Sequence, residues 1–533
     1  MSQRFLVGGF GFGRKLVENA HDILVFCSLP PDAASTFPNS PGAKVQEIMS
    51  MSELNRRRFL EDSMFAATAA LAAAGTSQVL AADQRPSSSA NDTLNVAVIG
   101  VRGQGNSHLT YHANPKHKGT QVTYVCDADR DIGMKRVEEA AKLQGRAPKF
   151  VQDLREVMDD PSVDIVSTAT PNHWHALVAI WAMQNGKDVY VEKPVSHNVS
   201  EGRRMVEAAR KYKRICQTGT QCRSMGGTIQ AIDYVKAGKI GDVKIARGLC
   251  YKRRKSIGEP GQYMPPASVD YNLWTGPAPM TPLTRPQLHY DWHWVWPTGN
   301  GDLGNQGIHQ MDIARWGLGV DRLSDAVFSY GGRLGYVDAG ETANTQVIEH
   351  TYGDQKLVFE VRGLETGDLR GAKVGVIFEG TDGYVVLTSY TGGAAFDLDG
   401  KLVAKFSGGG DHHGNFVEAV RSRQRNQLAA DILEGHLSSA LCHLGNISLL
   451  RGEQIAIGDA ESQIGEDEDS RATFGRFREH LAQNGVAADA PVRVGKRLKL
   501  NFEKETFADD SVADAMLTRQ YRTPFVVPAA GQV

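Results

Sequence analysis

The sequence predicts an α/β protein whose first domain is a doubly wound parallel sheet of the Rossmann type. Two observations support this prediction. The apolar, β-branched run at residues 94–99 ends at Gly100 and leads through Gly103 and Gly105 into a predicted helix, which is the strand–turn–helix order that binds a pyrophosphate. Strand-like and helical runs then alternate as far as residue 168, and this alternation is typical of a parallel sheet covered by helices.

The elements of this region follow one another closely. Apolar, β-branched runs predict strands at residues 94–99, 121–126, 149–151 and 163–168, and the intervening runs predict helices at 107–113, 131–143 and 154–159. The carboxyl ends of parallel strands meet at one edge of a sheet, and doubly wound sheets bind their ligands there. We therefore expect the ligand-binding residues to follow the strands.

The glycine turn departs from the usual G-x-G-x-x-G spacing, because Arg102 stands where the second glycine is expected. The second strand ends at Asp127, about 20 residues beyond the glycines, where an acid accepts hydrogen bonds from the adenosine ribose and disfavours a 2′-phosphate. Arg130 lies three residues further on and is suited to neutralising such a phosphate. The pattern favours NAD over NADP and leaves NADP open.

Size and composition define the broad class. A chain of 533 residues is too long for one ordinary core, and its 41% hydrophobic and 23% charged residues are those of a globular protein. The formal net charge of −2 gives no reason to expect nucleic acid as a partner. The six cysteines show no metal-ligand spacing, so we predict buried apolar thiols and no metal site.

The N-terminal segment has the features of a targeting signal. Residues 55–60 (Asn-Arg-Arg-Arg-Phe-Leu) precede an apolar, alanine-rich run at 64–74 and a small-residue stretch at 79–82, which together predict a secretory signal similar to a twin-arginine signal. We therefore expect export to the periplasm without stable membrane insertion after signal removal. We assign residues 51–82 to this signal, 83–92 to a linker, and 1–50 to a segment without stable structure or a wrongly assigned start, with translation starting at Met51.

Several motifs in a fixed order resemble those of the glucose–fructose oxidoreductase / inositol dehydrogenase (Gfo/Idh/MocA) family. Thr-Pro-Asn-His-Trp-His at residues 170–175 is followed by Glu-Lys-Pro at 192–194. Further matches are Tyr-Asn-Leu-Trp-Thr-Gly-Pro-Ala-Pro at 271–279, the stretch 304–312, and Phe-Glu-Gly-Thr-Asp-Gly-Tyr at 378–384. The resemblance covers roughly residues 94–450.

The resemblance implies a second α/β domain with a large open, mostly antiparallel sheet, which usually takes part in oligomer contacts. Strand-like runs bounded by glycines agree with it, at residues 243–251, 344–352, 356–362, 373–379 and 384–389. We assign residues 93–215 to the Rossmann domain, 216–450 to the substrate and oligomerisation domain, and 451–533 to a C-terminal extension that packs on both. A homo-oligomer is expected.

By the same resemblance, Lys193 lies beside the nicotinamide and polarises the reacting oxygen, and His309 is the base that takes the hydroxyl proton. The family pattern Asp-x-x-x-His has Asn305 in place of the aspartate; Asn305 is the third predicted catalytic residue, and its amide can orient the imidazole but cannot ionise. Asp302 is a candidate substitute. The predicted cofactor contacts are Gly100, Arg102, Gly103, Gly105, Asp127, Arg130, Thr170, Pro171, Asn172, His175, Glu192, Lys193 and Pro194.

Several of these residues have a second interpretation. Asn172 is either a cofactor contact or a helix N-cap, and His175 lines the nicotinamide pocket or is a buried structural histidine. The aromatic run 289–296 suits the apolar faces of a sugar or packs into a domain interface. The predicted substrate residues are Trp292, Trp294, Asp302, His309 and Asp312.

These residues favour an NAD(P)-dependent oxidoreductase that transfers hydride to or from a secondary alcohol of a sugar, sugar acid or cyclic polyol. One alternative is an NAD-dependent glycosidase that oxidises its substrate only transiently, which also suits a compartment poor in free NAD. A further alternative is a non-catalytic sugar-binding protein on the same fold, which Arg102 and Asn305 keep open. In each case the partner is a small carbohydrate or polyol.

Overall fold

The N-terminal part of the chain forms a six-stranded parallel sheet with helices on both faces. Its strands are β1 (Leu94–Ile99), β2 (Thr120–Cys126), β3 (Lys149–Val151), β4 (Ile165–Thr168), β5 (Asp188–Val191) and β6 (Cys216–Thr218). The spatial order is β3-β2-β1-β4-β5-β6, with every neighbouring pair parallel. This is the strand order of a Rossmann fold, so the predicted fold class is confirmed.

The structure is a computed structural model and describes residues 93–117, 119–465 and 467–533. The predictions for residues 1–50, 51–82 and 83–92 lie outside the described residues. In the parallel sheet the predicted strands agree with the observed ones to within about two residues. The crossover helices are α1 (Gly103–Ala113), α2 (Arg130–Gln144), α3 (Arg155–Asp159), α4 (Asn172–Gln184) and α5 (Val199–Lys211).

The second sheet has twelve strands and is mixed but mostly antiparallel. Its strands are β7 (Val243–Tyr251), β8 (Ala326–Gly332), β9 (Thr345–Tyr352), β10 (Gln355–Arg362), β11 (Val374–Gly380), β12 (Gly383–Ser389), β13 (Gly392–Asp397), β14 (Leu402–Ser407), β15 (Glu453–Ala456), β16 (Pro491–Val494), β17 (Leu498–Asn501) and β18 (Thr506–Phe507). The main order is β14-β13-β12-β11-β7-β10-β9-β8-β16-β15, while β17 joins β8 and β18. Only β7 and β10 pair in parallel.

Helices cover both faces of this sheet. The helices of this part of the chain are α6 (Gly226–Lys236), α7 (Tyr271–Thr275), α8 (Ile308–Leu318), α9 (His412–Ser422), α10 (Ile432–Leu450), α11 (Glu461–Ile464), α12 (Glu468–Gln483) and α13 (Ser511–Ala515). Of these, α6, α8 and α10 pack on one face of the sheet and α12 packs on the other. Gly317 of α8 lies against Phe378 on the inner face. On the outer face, Phe474 and Phe477 of α12 pack on Tyr330. The sheet over β8 to β10 is therefore covered by the chain's own C-terminal extension.

The domains interleave more than the assigned boundaries suggest. β6 begins at Cys216, so the Rossmann sheet continues past residue 215. Phe416 and Val420 of α9 pack with Val98 in the Rossmann core, although residue 412 follows the second sheet in the chain. Among the residues that the structure describes, no helix combines the length and the apolar composition that crossing a membrane requires.

Candidate active site and cofactor cleft

A cleft of about 410 Å³ opens at the carboxyl ends of β1, β4 and β5. One wall comes from the Rossmann domain and includes Gly100, Arg102, Gly103, Asp127, Thr170, Pro171, Asn172, His175, Glu192 and Lys193. The other wall comes from the second domain and includes Leu273, Trp274, His289, Tyr290, Trp292, His293 and Asn305. The position agrees with the rule that doubly wound sheets bind ligands beyond the carboxyl ends of their strands.

In the glycine turn, the absence of side chains lets the backbone come close both to neighbouring backbone and to a ligand in the cleft. Gly100 has φ +76°, and a Cβ there would meet the Thr170 backbone at 2.7 Å. Gly105 lets α1 pack directly on the turn after β1, because a Cβ at this position would lie 1.8 Å from the Gly100 carbonyl oxygen. A Cβ on Gly103 would have no neighbour within 4 Å, so this residue presents an open face to the cleft at the start of α1. That combination fits a pyrophosphate.

Asp127 binds the glycine turn as well as facing the cleft. Its carboxylate accepts hydrogen bonds from the backbone N–H groups of Val101 (2.8 Å) and Asp129 (2.9 Å). Burial raises the pKa of this carboxyl, and the two backbone hydrogen bonds partly oppose the rise. The side chain thus holds β1 and β2 in register at the position where the ribose of an adenosine is recognised.

The segment after β4 carries the family motif into the cleft. The Asn172 side chain caps no helix end and instead donates to Asn300 Oδ1 at 3.0 Å, so the N-cap interpretation is wrong. His175 lies with Nδ1 2.6 Å from the Pro194 carbonyl and Nε2 2.7 Å from the Thr170 carbonyl. Burial lowers the pKa of this imidazole. His175 therefore lines the cleft and at the same time ties together the loops after β4 and β5.

Lys193 lies at the inner end of the cleft. Its Nζ donates to the Asn305 carbonyl oxygen at 2.7 Å, and its peptide bond to Pro194 is cis. Burial lowers the pKa of Lys193, while the neighbouring Glu192 carboxylate opposes this shift. The ammonium is thus held by one backbone carbonyl and has further donors for a ligand oxygen.

A histidine on α1 binds Glu192, the residue that precedes this lysine. Glu192 is buried and accepts from His108 Nε2 at 3.1 Å, and His108 Nδ1 lies 3.0 Å from the Ser167 hydroxyl. Burial alone would raise the pKa of Glu192, but His108 and Lys193 bring it down to about 2. Gly219 leaves the room for this carboxylate, because its Cβ would lie 2.6 Å from Glu192 Oε1.

His309 lies on α8, just beyond a π-helical turn at Leu303–Gly307; it is buried and is not one of the residues that line the cleft. Its Nδ1 is buried without a hydrogen-bond partner, and its ring centroid is 5.1 Å from that of Tyr390. Burial, reinforced by the charge of Lys193, lowers the pKa of His309 to about 3. The imidazole is therefore neutral near pH 7 and presents an unused nitrogen.

Several predicted site residues do not line the cleft. Gly105 and Pro194 are packing residues beside it, and Arg130 is exposed at the start of α2 beside Asp131. Asp302 forms an ion pair with Arg254, which it binds through both carboxylate oxygens. Asp312 is bound in the same way by Arg223. Each of these two acids is thus neutralised by a buried guanidinium, so the predicted substrate roles of Asp302 and Asp312 are corrected to structural ones.

The aromatic run divides into a cleft-lining part and a packing part. Residues Asp291–Trp294 form a 3₁₀ turn in which Trp292 and His293 stack at 3.6 Å between ring centroids and line the cleft. Trp294 is buried beneath Arg254, whose guanidinium carbon lies 5.3 Å from the ring. Trp294 is therefore a packing residue, and of the two predicted tryptophans only Trp292 faces the cleft.

Sequence reasoning missed His108, Tyr390 and Asn300. Tyr390 follows β12, and its hydroxyl accepts from Gln306 Nε2 at 2.5 Å; burial raises its pKa to about 12. Asn300 bridges the domains by accepting from Asn172 and donating to the His197 carbonyl. Only His108 had a usable signal, since it lies three residues after Gly105 on the phosphate-binding helix. The others are brought in from distant parts of the chain.

The chain belongs to the Gfo/Idh/MocA family. The family model described as "Oxidoreductase family, NAD-binding Rossmann fold" matches residues 94–220, and the one described as "Oxidoreductase family, C-terminal alpha/beta domain" matches residues 254–479. NAD is accordingly the cofactor of the cleft. Gly103 with its open face, the Asp127 carboxylate and Lys193 all line one cleft, which fits a dinucleotide bound between the glycine turn and Lys193.

Similar proteins include a levoglucosan dehydrogenase from Pseudarthrobacter phenanthrenivorans, 28% identical over 44% of this chain and 54% of the relative. An inositol 2-dehydrogenase from Salmonella typhimurium is 30% identical over 30% of this chain and 46% of the relative. A glycosyl hydrolase family 109 protein from Shewanella sp. strain ANA-3 is 28% identical over 36% of this chain and 45% of the relative. The chain thus matches about half the length of these curated relatives.

Among solved structures, a levoglucosan dehydrogenase in complex with NADH has a TM-score of 0.50 at 18% identity. The match covers 67% of this chain and 97% of that one. This likeness supports the two-domain fold.

Proposed function

We propose that this chain is an NAD-dependent oxidoreductase that transfers hydride between the nicotinamide and a secondary alcohol of a sugar, sugar acid or cyclic polyol. The observation that carries the proposal is that Lys193 lines the cofactor cleft and that its charge acts on the buried imidazole of His309. Lys193 Nζ is anchored on the Asn305 carbonyl, and the neighbouring imidazole has a buried nitrogen without a partner.

The two side chains divide the chemistry of alcohol oxidation. Bound NAD supplies the carbon atom that accepts the hydride. Lys193 donates a hydrogen bond to the alcohol oxygen, which stabilises the negative charge that grows there as the C–H bond breaks. Neutral His309 accepts the hydroxyl proton. Reduction of the carbonyl runs the same steps backwards, with the proton returned by the imidazolium.

The electrostatics of the pair suit these roles. Burial and the ammonium of Lys193 disfavour the imidazolium form of His309, and the buried Glu192 carboxylate opposes both effects. Glu192 therefore offsets positive charge on Lys193 and, during the reaction, on His309. The stacked Trp292 and His293 on the opposite wall suit the C–H face of a ring, which supports a cyclic polyol or sugar as substrate.

The direct test is to assay the purified full chain for NADH formation with a panel of sugars, sugar acids and cyclic polyols, including levoglucosan and myo-inositol. The test includes Lys193→Met and His309→Asn as matched inactive controls. NADH formation by the native chain and not by the two variants supports the proposal. Binding of NADH without turnover of any member of the panel would favour the non-catalytic alternative.

A second candidate function is an NAD-dependent glycosidase, which the similarity to glycosyl hydrolase family 109 proteins supports. In this cycle the ring carbinol is oxidised, the adjacent C–H loses a proton, the aglycone is eliminated, water adds, and the hydride returns to the ring. The same Lys193 and His309 would serve the oxidation step. Release of nitrophenol from nitrophenyl glycosides, without net NADH, distinguishes it from the dehydrogenase.

Export by the twin-arginine route remains part of the proposed function and is supported by the arginine pair and apolar run at residues 56–74. We test it with an Arg56→Lys/Arg57→Lys variant, which should keep the chain in the cytoplasm upon cell fractionation.

A homo-oligomer is likewise proposed. Because α12 covers the outer face of β8 to β10, we expect the contacts between subunits to lie elsewhere on the surface. Sedimentation of the purified chain measures the oligomeric state.

A further inference from the structure

The C-terminal segment 519–533 runs back from the second domain onto the Rossmann domain. Phe525 is 2% exposed and joins the hydrophobic cluster that contains Trp174 and Val178 of α4. Its ring packs edge-on against Trp174, with 5.3 Å between centroids. Val533 is buried in the same cluster. The tail is therefore a packed part of the Rossmann core.

Arg522 of this tail binds one short helix of the second domain. Its Nη1 donates to Asn272 Oδ1 at 2.6 Å, its Nη2 to the Asn272 carbonyl at 2.7 Å, and its Nε to the Gly276 carbonyl at 3.0 Å. Charge-assisted hydrogen bonds of this kind are stronger and more directional than neutral ones. One guanidinium thus fixes both ends of α7.

The helix that Arg522 holds is a wall of the cofactor cleft. Leu273 and Trp274 of α7 line the cleft, as does Trp174 on the opposite side. The Trp174 Nε1 donates to the carbonyls of Leu273 and Trp274, each at 3.0 Å. Gly276 lies so close to the Trp174 ring that a Cβ would be 2.1 Å from it. The two walls are in contact where Arg522 binds.

A second arginine of the tail binds the next loop of the same wall. The Arg519 Nη1 donates to the Pro297 carbonyl at 3.0 Å and to His197 Nδ1 at 2.9 Å. Pro297 follows the aromatic turn that contributes Trp292 to the cleft. The tail therefore fastens two separate cleft-lining segments of the second domain to the Rossmann domain.

We propose that the tail acts as a strap that keeps the cofactor cleft closed, so that NAD(H) dissociates slowly and stays bound between turnovers. In this proposal the dinucleotide leaves when α7 moves away from Trp174, a movement that would break the three Arg522 hydrogen bonds and those from the Trp174 Nε1. Arg522 is thus a positioning residue, since it acts through α7 and touches no cleft surface. The inference concerns cofactor release and holds for either proposed reaction.

The experiment measures NADH dissociation from the full chain, by displacing bound NADH with excess NAD⁺ and following NADH fluorescence. The variants are Arg522→Ala, Arg522→Lys and Asn272→Ala, and the control is Arg425→Ala, an exposed arginine remote from the cleft. We expect Arg522→Ala to raise the dissociation rate at least tenfold, Asn272→Ala and Arg522→Lys to raise it less, and the control to leave it unchanged.

Thermal unfolding of the same variants separates a strap from general stabilisation. Asn272 is exposed, so its substitution should leave the unfolding temperature within a few degrees of the native value while dissociation accelerates. In the Asn272→Ala background, the effect of Arg522→Ala should shrink, because the two residues share one contact. A dissociation rate within twofold of native in both Arg522→Ala and Asn272→Ala would overturn the proposal. Absence of NADH binding in every protein would instead refute the cofactor assignment.

Discussion

The two ends of the cleft are built on different principles. At the nucleotide end, Gly100, Gly103 and Asp127 follow two adjacent strands, and the Asp127 carboxylate accepts a hydrogen bond from the Val101 backbone N–H. At the carbinol end, Lys193 and His309 come from different domains and are surrounded by buried charges and an unpartnered nitrogen. One end provides shape, and the other provides groups whose protonation the protein controls.

Because the two ends differ in this way, substitutions at the carbinol end should affect mainly turnover, and substitutions at the nucleotide end mainly folding or cofactor affinity. Buried polar groups without partners cost free energy, and the carbinol end keeps them where a ligand can satisfy them. The nucleotide end is tightly packed, so changes there affect folding or cofactor affinity.

Lys193→Met should lower turnover about a thousandfold, because methionine keeps the length of the side chain but donates no hydrogen bond to the alcohol oxygen. NADH binding should remain within a few-fold of native. Steady-state assays with the substrate identified by the panel, together with NADH titration, measure both. Lys252→Met is the matched control, since Lys252 is exposed and lies outside the cleft lining. Equal losses in both variants would contradict the assignment.

Two glycine substitutions should separate fold from cofactor at the nucleotide end. Gly105→Ala should lower the free energy of unfolding by at least about 2 kcal/mol, because the new Cβ would collide with the Gly100 carbonyl. Gly103→Ala should leave stability unchanged and weaken NADH binding about tenfold, because its Cβ enters open space at the cleft. Denaturant titration and fluorescence titration measure the two. Native NADH affinity in Gly103→Ala would refute the pyrophosphate position.

Asn305→Asp should raise the pKa of His309 from about 3 by one unit or more, because it places a carboxylate one helical turn before the imidazole. The base works only when unprotonated, so kcat/KM falls as pH drops through this pKa. The acidic limb of the pH profile should therefore move to higher pH. Asn305→Ala, which adds no charge, should leave the limb in place; a shift in both variants would exclude a charge effect.

His112→Phe should raise the free energy of unfolding by about 1 kcal/mol at pH 7, because both ring nitrogens of His112 are buried without partners. Its pKa is lowered to about 3 by burial, below the value of about 6.5 in the unfolded chain. The unfolded state therefore binds more protons between these values, and stability falls as pH drops through this range.

The same substitution should reduce this pH dependence by one proton, measured by denaturant unfolding at several pH values between about 4 and 7. His108→Phe is the contrasting variant, because it leaves the buried Glu192 without its partner. It should be destabilising. If both variants changed stability by the same amount and sign, hydrogen bonding would not be what distinguishes the two histidines.

The sequence alone predicted strands β1 to β4 of the Rossmann sheet and the nucleotide end, but not β5 and β6. Strand β1 and the Gly100 turn are contiguous in the chain. The pattern of apolar residues and the placement of glycines are local signals, so they can be read without tertiary information. Strands β7, β9, β10, β11 and β12 of the second sheet were also predicted to within one or two residues, because glycines bound each apolar run, whereas β8 was not predicted. The Thr-Pro-Asn-His-Trp-His and Glu-Lys-Pro motifs identified the family.

Only the tertiary structure decided which charged and aromatic side chains face the cleft. Asp302 and Trp294 have the composition of a sugar site, but the same residue, Arg254, neutralises the first and covers the second. Tyr390 is brought beside His309, and Arg522 beside α7, from far along the chain. No local pattern records such pairings, because the free energy of burying a charge or ring depends on the partner that folding places beside it.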